Sequence, residues 1–470
     1  LHLSIRRQRQ MCIRDSIKTT FIYPSMNLNK IYEENFIKSF RGVVWTGSSL
    51  NIYDNTREIK NQISLMKKEL KRALSVPNDL IGALAKHTTL AHSVWVDARK
   101  NNDFQRFLPQ FSKVLELRKE EADAIRQDTD LSRYDALMQD YEPDIKSDYI
   151  DTIFDTLRPA LVDLRAQVLD RPPVQEINGH FPLDKQRSLC NEVAATFGYD
   201  FSRGRIDTAV HPFCSGSGND VRITTRFDVN DPLGSIYSTI HEVGHATYEQ
   251  NINKDFLFTP LGSGVSMGVH ESQSRIYENQ IGRSRAFTKF LYGEMLSLFG
   301  DFGIKNADDF YKSVNGIRNG FIRTEADEVQ YNLHIMLRFE LERALINDDL
   351  RAEDLESAWN EAFLRDFGYS VENASNGVLQ DVHWSVGLFG YFPTYSLGNI
   401  YAGCLNKAMR ADLPDLDHAF EHGNVNDATD WLKENVQKYG GLRKPEATIS
   451  HAIGGQPNEE PLLQYLEDKF

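Results

Sequence analysis

Residues 240–250 read IHEVGHATYEQ, and this stretch predicts a helix that carries a metal site. His241 and His245 lie four positions apart, so an α-helix places both imidazoles on one face, about 6 Å from each other. Two imidazoles at this spacing can share one ion, whereas Glu242 points to the flank of that face. The alternative is that surface or hydrogen-bonded core residues match H-E-x-x-H by chance.

A third metal ligand has to come from elsewhere in the chain. Two imidazoles alone bind a divalent ion weakly, and catalytic zinc sites usually add a third protein ligand and leave one position for water. A second helical stretch follows a Gly/Ser-rich turn, and His270, Glu271 and Ser272 lie near its start. Glu271 comes 26 residues after His245, which allows a helix, a loop and a return to the same pocket. Glu271 is therefore the expected third ligand.

Glu242 is expected to act as a general base and not as a ligand. A divalent ion in such a site lowers the pKa of its bound water toward about 7. Glu242 can accept the proton of that water and return it to the leaving amine, a task for which aspartate is one methylene too short. This is the mechanism associated with H-E-x-x-H in metallopeptidases. Zn²⁺ is the expected metal, and Co²⁺ or Mn²⁺ also suits the donor set.

Composition and charge exclude several classes of protein. The 470 residues can bury a large core. No apolar run approaches the roughly 20 residues that span a bilayer, which argues against an integral membrane protein. The net charge of −14 argues against a general affinity for nucleic acid or anionic lipid.

The beginning of the chain and its cysteines bear on domain organisation. Residues 6–16, RRQRQMCIRDS, match the translation of a common sequencing adapter, so residues 1–16 are interpreted as an artefactual tail. Residues 17–50 are unassigned, and residues 51–470 are expected to form one helical domain. Apart from Cys12 in this tail, the chain has three cysteines, which are Cys190, Cys214 and Cys404. They are widely spaced and odd in number, which indicates reduced thiols in a cytoplasmic protein.

Apolar periodicity predicts a mainly α protein. Apolar residues recur every three or four positions in residues 59–74, 104–125, 150–168, 287–299, 331–346 and 355–367. Asp220–Asp228 instead alternates polar and apolar side chains, which predicts a strand just before the helix of His241. Such a strand is placed to pair with an extended peptide, and the alternative is a small structural hairpin.

A metal with a glutamate base does not distinguish an endopeptidase from an exopeptidase. A carboxypeptidase needs a fixed cation for the terminal carboxylate of its substrate, and the planar guanidinium fork of arginine suits that role. Arg323 is a candidate because Glu325, Asp327 and Glu328 follow it closely. An ordinary salt-bridged helix face explains the same pattern, so the residues alone leave both interpretations open.

Six motifs occur in the order found in the carboxypeptidase Taq family of metallocarboxypeptidases, which this sequence resembles. They are HPF at 211–213, D-x-R-x-T at 220–224, HEVGH at 241–245, HESQSR at 270–275, IRTEADEV at 322–329, and GVLQDVHW at 377–384 followed by GYFPTY at 390–395. Softer similarity extends from about residue 76 to the last residues of the chain. The resemblance therefore covers most of the sequence.

The resemblance implies a mainly α, two-lobed molecule with a deep central groove and a small β element next to the HEXXH helix. It implies a zinc-dependent carboxypeptidase that releases single residues from peptide carboxy termini with broad specificity, usually as a homodimer. His241, His245 and Glu271 look like the zinc ligands, and Glu242 looks like the base. Arg323 is similar to the family arginine that holds the terminal carboxylate.

Further groove residues follow from the same motifs. The residues that match are His211, Gln380, Asp381 and His383. A hydrogen-bonded structural histidine is the alternative interpretation of His383. Tyr395 is a possible oxyanion donor on chemical grounds.

Two other functions compete with the carboxypeptidase. One is an oligopeptide endopeptidase of the related helical-groove type. The other is an inactive peptide-binding protein, because the family's amino-terminal helices are not recognisable before about residue 50. The intact Glu242 argues against the second function, since a binding protein needs no base beside the metal. A purely structural zinc site would have four protein ligands, often cysteines.

Overall fold

In a computed structural model of the chain, residues 57–127 and 129–470 are described. The described part is mainly helical, as predicted. Its helices are α1 (Arg57–Ser75), α2 (Asn78–Lys100), α3 (Phe104–Arg126), α4 (Arg133–Met138), α5 (Ser147–Leu169), α6 (Leu183–Thr196), α7 (Pro232–Asn251), α8 (Met267–Arg275), α9 (Arg285–Phe299), α10 (Ala307–Val314), α11 (Glu328–Ile346), α12 (Leu355–Phe367), α13 (Pro393–Asp412), α14 (Leu416–Phe420), α15 (Asn426–Asn435), α16 (Pro445–Ile453) and α17 (Glu460–Lys469).

Every segment with helical periodicity forms a helix. The six predicted segments correspond to α1, α3, α5, α9, α11 and α12. Their apolar faces meet in one contiguous cluster of buried side chains that extends from α2 to α17. The predicted artefactual tail and residues 17–50 lie outside the described residues, so the domain boundaries stay a prediction. Among the helices of the described residues, none is long and apolar enough to cross a bilayer.

A small sheet precedes α7. It consists of β1 (Ile206–Thr208), β2 (Phe213–Ser217) and β3 (Asp220–Thr225) in the order β1-β3-β2. β3 pairs in parallel with β1 and antiparallel with β2. The predicted strand is therefore confirmed over Asp220–Thr225, and the alternative of a structural hairpin is correct. The prediction that this strand pairs with a peptide is contradicted at Ile223 and Thr224, which pair with β1 on one side and with β2 on the other.

The helix with the H-E-x-x-H motif begins immediately after the sheet. Asp231 caps α7 by accepting a hydrogen bond from the backbone N–H of Gly234 at 3.0 Å, and Pro232 occupies the first turn, where its missing N–H costs nothing. Almost the whole surface of α7 is buried against neighbouring elements. A helix that is enclosed in this way holds its few polar side chains in fixed positions.

Candidate metal centre and substrate site

The predicted metal ligands come together in the folded chain. His241 and His245 project from α7 with their ring centroids 5.0 Å apart. Glu271 projects from α8, and its Oε2 lies 3.9 Å from Nε2 of His241 and 3.5 Å from Nε2 of His245. All three ligand atoms lie within 4.8 Å of one another. An ion bonded to nitrogen and oxygen at about 2.0–2.2 Å holds its ligand atoms roughly 3–4 Å apart, so this donor set is compatible with one shared divalent ion.

Each proposed ligand is held by its other heteroatom. Nδ1 of His241 lies 2.9 Å from Oε2 of Glu278. Nδ1 of His245 lies 2.7 Å from Nδ1 of His270. Oε1 of Glu271 accepts a hydrogen bond from Nε of Arg275 at 2.7 Å. The three atoms that remain, two Nε2 and one Oε2, therefore face one another and are available to a single ion.

A π-helical segment positions the partner of His241. Ile276–Gly282 continues directly from α8 with π-type hydrogen bonding, a rare geometry that is often found at functional sites. It carries Glu278, whose carboxylate contacts Arg275 and Arg283 as well as His241. Burial alone would raise the pKa of Glu278, but His241 and the two guanidinium groups lower it below its ordinary value. Glu278 is therefore a charged acceptor for His241.

The two carboxylates on the metal side have opposite electrostatic environments. For Glu271, burial opposes ionisation, but Arg275 and both histidines lower its pKa below the ordinary range. Burial, offset only in part by His245, raises the pKa of the Glu242 carboxyl to about 7. One carboxylate is thus kept ionised as a ligand requires, while the other is suited to accept and return a proton near neutral pH.

Two glycines allow the helices around Glu271 to approach closely. At Gly244 of α7, a methyl group would lie 2.5 Å from the backbone oxygen of Gln273 and from Cα of Ser274 in α8. At Gly398 of α13, a methyl group would lie 2.6 Å from Cβ of Glu271. α8 therefore packs against both helices at distances that only glycine permits. This packing brings Glu271 to the two histidines.

Gly398→Ala is expected to lower the free energy of unfolding by about 1–3 kcal/mol, because the added methyl group overpacks a buried contact. It should also weaken metal binding, since the side chain it displaces is that of Glu271. Urea unfolding and metal titration measure the two effects. Gly293→Ala on α9 is the matched control, because a methyl group there meets nothing within 4 Å. Equal unfolding free energies and equal metal affinities in the two variants would contradict a role for the close contact between Gly398 and Glu271.

Arg323 belongs to a buried cluster of charges. Its Nε and Nη2 donate to Oδ1 of Asp381 at 3.0 and 2.8 Å. Arg338 donates to the other oxygen of Asp381 at 2.6 Å. Burial would raise the pKa of Asp381, but the two arginines lower it well below its ordinary value. The salt-bridged interpretation of Arg323 is thus correct in part, although its partner is Asp381 and not the acids that follow it in sequence.

The arginine cluster connects to the metal centre through Tyr331. Nη1 of Arg323 donates to the hydroxyl of Tyr331 at 3.0 Å. The ring of Tyr331 lies 4.2 Å from the guanidinium carbon of Arg275, which in turn holds Glu271. Three successive contacts therefore link Arg323 to Glu271, a predicted metal ligand.

Three other predicted groove residues surround Arg323. The side-chain oxygen of Gln380 accepts a hydrogen bond from the backbone N–H of Arg323 at 2.9 Å. Nε2 of His383 lies 3.3 Å from the hydroxyl of Tyr395, whose ring lies 5.0 Å from the Arg323 guanidinium carbon. His383 also lies 3.7 Å from Asp381, so the structural interpretation of this histidine has direct support.

His211 stands apart from this cluster. It is exposed in the loop between β1 and β2. Within residues 57–127 and 129–470, its imidazole makes no hydrogen bond or ion pair with the other predicted site residues. A role for His211 stays a prediction.

Sequence reasoning did not assign a role to several residues that contact the predicted site residues or their immediate partners. These are Glu249, Arg275, Glu278, Arg283, Tyr331 and Arg338. Arg275 belongs to the HESQSR motif, and Glu278 lies one helical turn beyond it. Arg275, Glu278 and Arg283 recur at near-helical spacing in a stretch that also carries Ile276 and Ile281. Charged residues among apolar ones in this way indicate buried charges, and this pattern could have identified the three residues.

Comparisons with known proteins agree with this geometry. Residues 43–470 match the profile of the carboxypeptidase Taq (M32) metallopeptidase family. The chain is 38% identical to thermostable carboxypeptidase 1 of Thermus thermophilus over 86% of this chain and 81% of the relative. It is 37% identical to carboxypeptidase 1 of Bacillus subtilis over 89% of this chain and 84% of the relative. Its fold is similar to the crystal structure of the M32 carboxypeptidase from Deinococcus radiodurans, with a TM-score of 0.86 and 35% identity over 92% of this chain and 87% of the other.

Proposed function

The chain belongs to the carboxypeptidase Taq (M32) family and is a metallocarboxypeptidase, and from this premise we propose that it is zinc-dependent and releases single carboxy-terminal residues from peptides with broad specificity. The convergence of His241, His245 and Glu271, with Glu242 beside them, carries the proposal. Family membership implies a divalent metal. Two imidazoles and one carboxylate are the donor set of catalytic zinc sites, and Co²⁺ or Mn²⁺ is the alternative.

Glu242 supplies the proton transfer. When bound, the divalent ion polarises the peptide carbonyl and activates water for attack. Glu242 is buried next to the ligands, and its pKa of about 7 suits a group that accepts a proton and then releases it. It takes the proton of the attacking water and gives it to the nitrogen of the departing amino acid. The same side chain therefore acts first as base and then as acid.

Arg323 holds the substrate's terminal carboxylate in this proposal. A guanidinium group has five N–H donors, and three of those of Arg323 are used by Asp381 and Tyr331. One N–H on each terminal nitrogen is not used by these two partners, and a pair of guanidinium N–H groups can bind a carboxylate in the bidentate mode. Only 6% of the side-chain area is exposed, so a bound carboxylate would be largely shielded from water.

Arg323→Ala is expected to lower kcat/KM for a peptide with a free carboxylate by about 10–100-fold, the effect of losing a charged hydrogen bond. The loss on the corresponding carboxy-terminal amide should be much smaller. Arg338→Ala is the matched control, because it removes the other arginine of Asp381 and should cost stability without changing the acid-to-amide ratio. An equal loss on acid and amide in Arg323→Ala would refute the carboxylate clamp.

Mass spectrometry of an N-terminally blocked peptide tests the proposed activity. A ladder of products that lose one carboxy-terminal residue at a time, absent with chelator and restored by zinc, is the expected result. Internal cleavage would show an oligopeptide endopeptidase instead. Binding of the peptide by folded, metal-loaded protein without cleavage would show a peptide-binding protein.

Assembly and location are further parts of the proposal. The family resemblance favours a homodimer, which sedimentation velocity would detect as twice the chain mass of 53.8 kDa. Cys190 and Cys404 are buried and form no disulfide within the described residues, which supports a reducing, cytoplasmic environment. Fractionation of the source cells would test the location.

A further inference from the structure

A series of three side chains leads away from His245. Nδ1 of His245 lies 2.7 Å from Nδ1 of His270, and Nε2 of His270 lies 3.0 Å from Oε1 of Glu249. Glu249 is buried, and the same oxygen accepts a hydrogen bond from the backbone N–H of Gly264 at 3.0 Å. We call His245, His270 and Glu249 the imidazole relay.

Binding of an ion by His245 would determine the direction of these hydrogen bonds. In the proposed metal site, Nε2 of His245, which lies 3.5 Å from Oε2 of Glu271, binds the ion and therefore carries no proton. The proton of that ring is then on Nδ1 and is donated to Nδ1 of His270. Because Nδ1 of His270 accepts, the proton of His270 is on Nε2 and is donated to Glu249. His245 therefore donates, His270 accepts at Nδ1 and donates at Nε2, and Glu249 accepts.

We propose that His270 and Glu249 are positioning residues that hold His245 in the tautomer and ring orientation required for metal binding. The inference rests on the proposed function, in which His245 is a ligand. His270 is not itself a ligand, because it contacts the nitrogen of His245 that points away from Glu271. His241 is held differently, by the direct contact of its Nδ1 with the carboxylate of Glu278.

The surroundings keep the relay in place. The ring of His270 packs on Tyr248, with their centroids 5.1 Å apart. The backbone N–H of Val265 donates to the hydroxyl of Tyr248 at 3.2 Å, next to the bond from Gly264 to Glu249. The loop between α7 and α8 is thus tied to both neighbours of His270. A partner that is itself fixed can orient a ligand, whereas a mobile one cannot.

Two substitutions of equal shape test the proposal. His270→Leu removes both polar atoms, whereas His270→Asn places an amide oxygen where Nδ1 was and can still accept the proton of His245. Zinc affinity of the purified protein, measured by competition with a chromogenic chelator, should fall about 10–100-fold in His270→Leu. His270→Asn should recover most of that loss. The visible spectrum of the Co²⁺-loaded protein should change in His270→Leu and resemble the unmodified spectrum in His270→Asn.

A double variant tests whether Glu249 acts through His270. Glu249→Leu should weaken zinc binding, and His270→Leu with Glu249→Leu should be no weaker than His270→Leu alone, because both changes interrupt the same series of contacts. His334→Asn is a matched control, since His334 is also buried but contacts Phe367 and Arg338. Its zinc affinity should equal that of the unmodified protein even where its thermal stability falls.

His245→Ala separates failure of the relay from failure of the proposed function. If His245→Ala loses zinc affinity while His270→Leu keeps it, the ligand is correct and the relay is overturned. If His245→Ala keeps its affinity, the ligand assignment fails and the relay fails with it. Equal losses in folded His270→Leu and His270→Asn would also overturn the relay, because they would show that the acceptor atom has no effect.

Discussion

Glu242→Gln is expected to reduce kcat by at least about 100-fold while zinc affinity stays within a few-fold of the unmodified value. Glutamine has the same shape, but its amide cannot take the proton of the attacking water. Glu242 is absent from the set of ligand atoms that converge on the metal position, so the substitution removes no ligand. Zinc titration and peptide turnover on the same preparation measure both quantities.

A matched control separates proton transfer from the general loss of a buried acid. Glu342 is also fully buried, and burial raises its pKa to about 8, but it accepts hydrogen bonds from Trp384 and Gly390. Glu342→Gln should lower stability and retain most of the turnover. Retained turnover in Glu242→Gln would refute the role of Glu242 as the base. The turnover of Glu242→Asp should lie between that of Glu242→Gln and that of Glu342→Gln, since the aspartate carboxylate is one methylene short of the required position.

Glu271→Gln is expected to weaken zinc binding by more than about 100-fold, beyond the usual effect of changing a partner of a ligand. The carboxylate uses Oε2 toward the two histidines and Oε1 toward Arg275. A glutamine that presents its oxygen to the metal places its NH₂ against the N–H of Arg275. The opposite rotamer places that NH₂ against the metal, so neither orientation satisfies both partners.

A graded series of carboxylate variants makes this prediction specific. Glu278→Gln changes a partner of His241 and should cost about 10–100-fold in zinc affinity. Glu192→Gln on the exposed face of α6 should have no effect. Zinc affinities follow from competition with a chelator, and circular dichroism establishes that each variant is folded. Glu271→Gln with unchanged zinc affinity would show that Glu271 is not a ligand.

The parts of the fold that depend on local pattern were predictable from sequence. Helical periodicity over residues 355–367 matches α12 residue for residue, and strict alternation located β3. β1 was not predicted, because a three-residue strand is too short to show an alternating pattern. The pairing of β3 was also missed, since its neighbours Ile206–Thr208 and Phe213–Ser217 are chosen by tertiary packing.

The candidate site divides in the same way. Helix geometry alone places His241 and His245 on one face, and the motif predicts Glu242 as the base. Arg323 was predicted as a carboxylate clamp, but its pairing with Asp381 joins residues 58 positions apart in sequence. Charge spacing suggested the nearby acids Glu325, Asp327 and Glu328 as ion-pair partners, but the side chain of Arg323 pairs with Asp381 instead. Ion pairs within a core depend on which helices meet, and sequence spacing carries little information about that.

Local patterns in the sequence predict the helical class, the position of the H-E-x-x-H helix and the placing of its two imidazoles on one face, because these follow from a repeat of 3.6 residues per turn. The tertiary structure is needed to show which atoms of the predicted ligands face one another. Glu271 reaches the histidines because Gly244 and Gly398 let α8 pack closely against two helices. Glu278 and His270 then hold the remaining ring nitrogens. These contacts join distant segments through close packing, and no local pattern in the sequence specifies them.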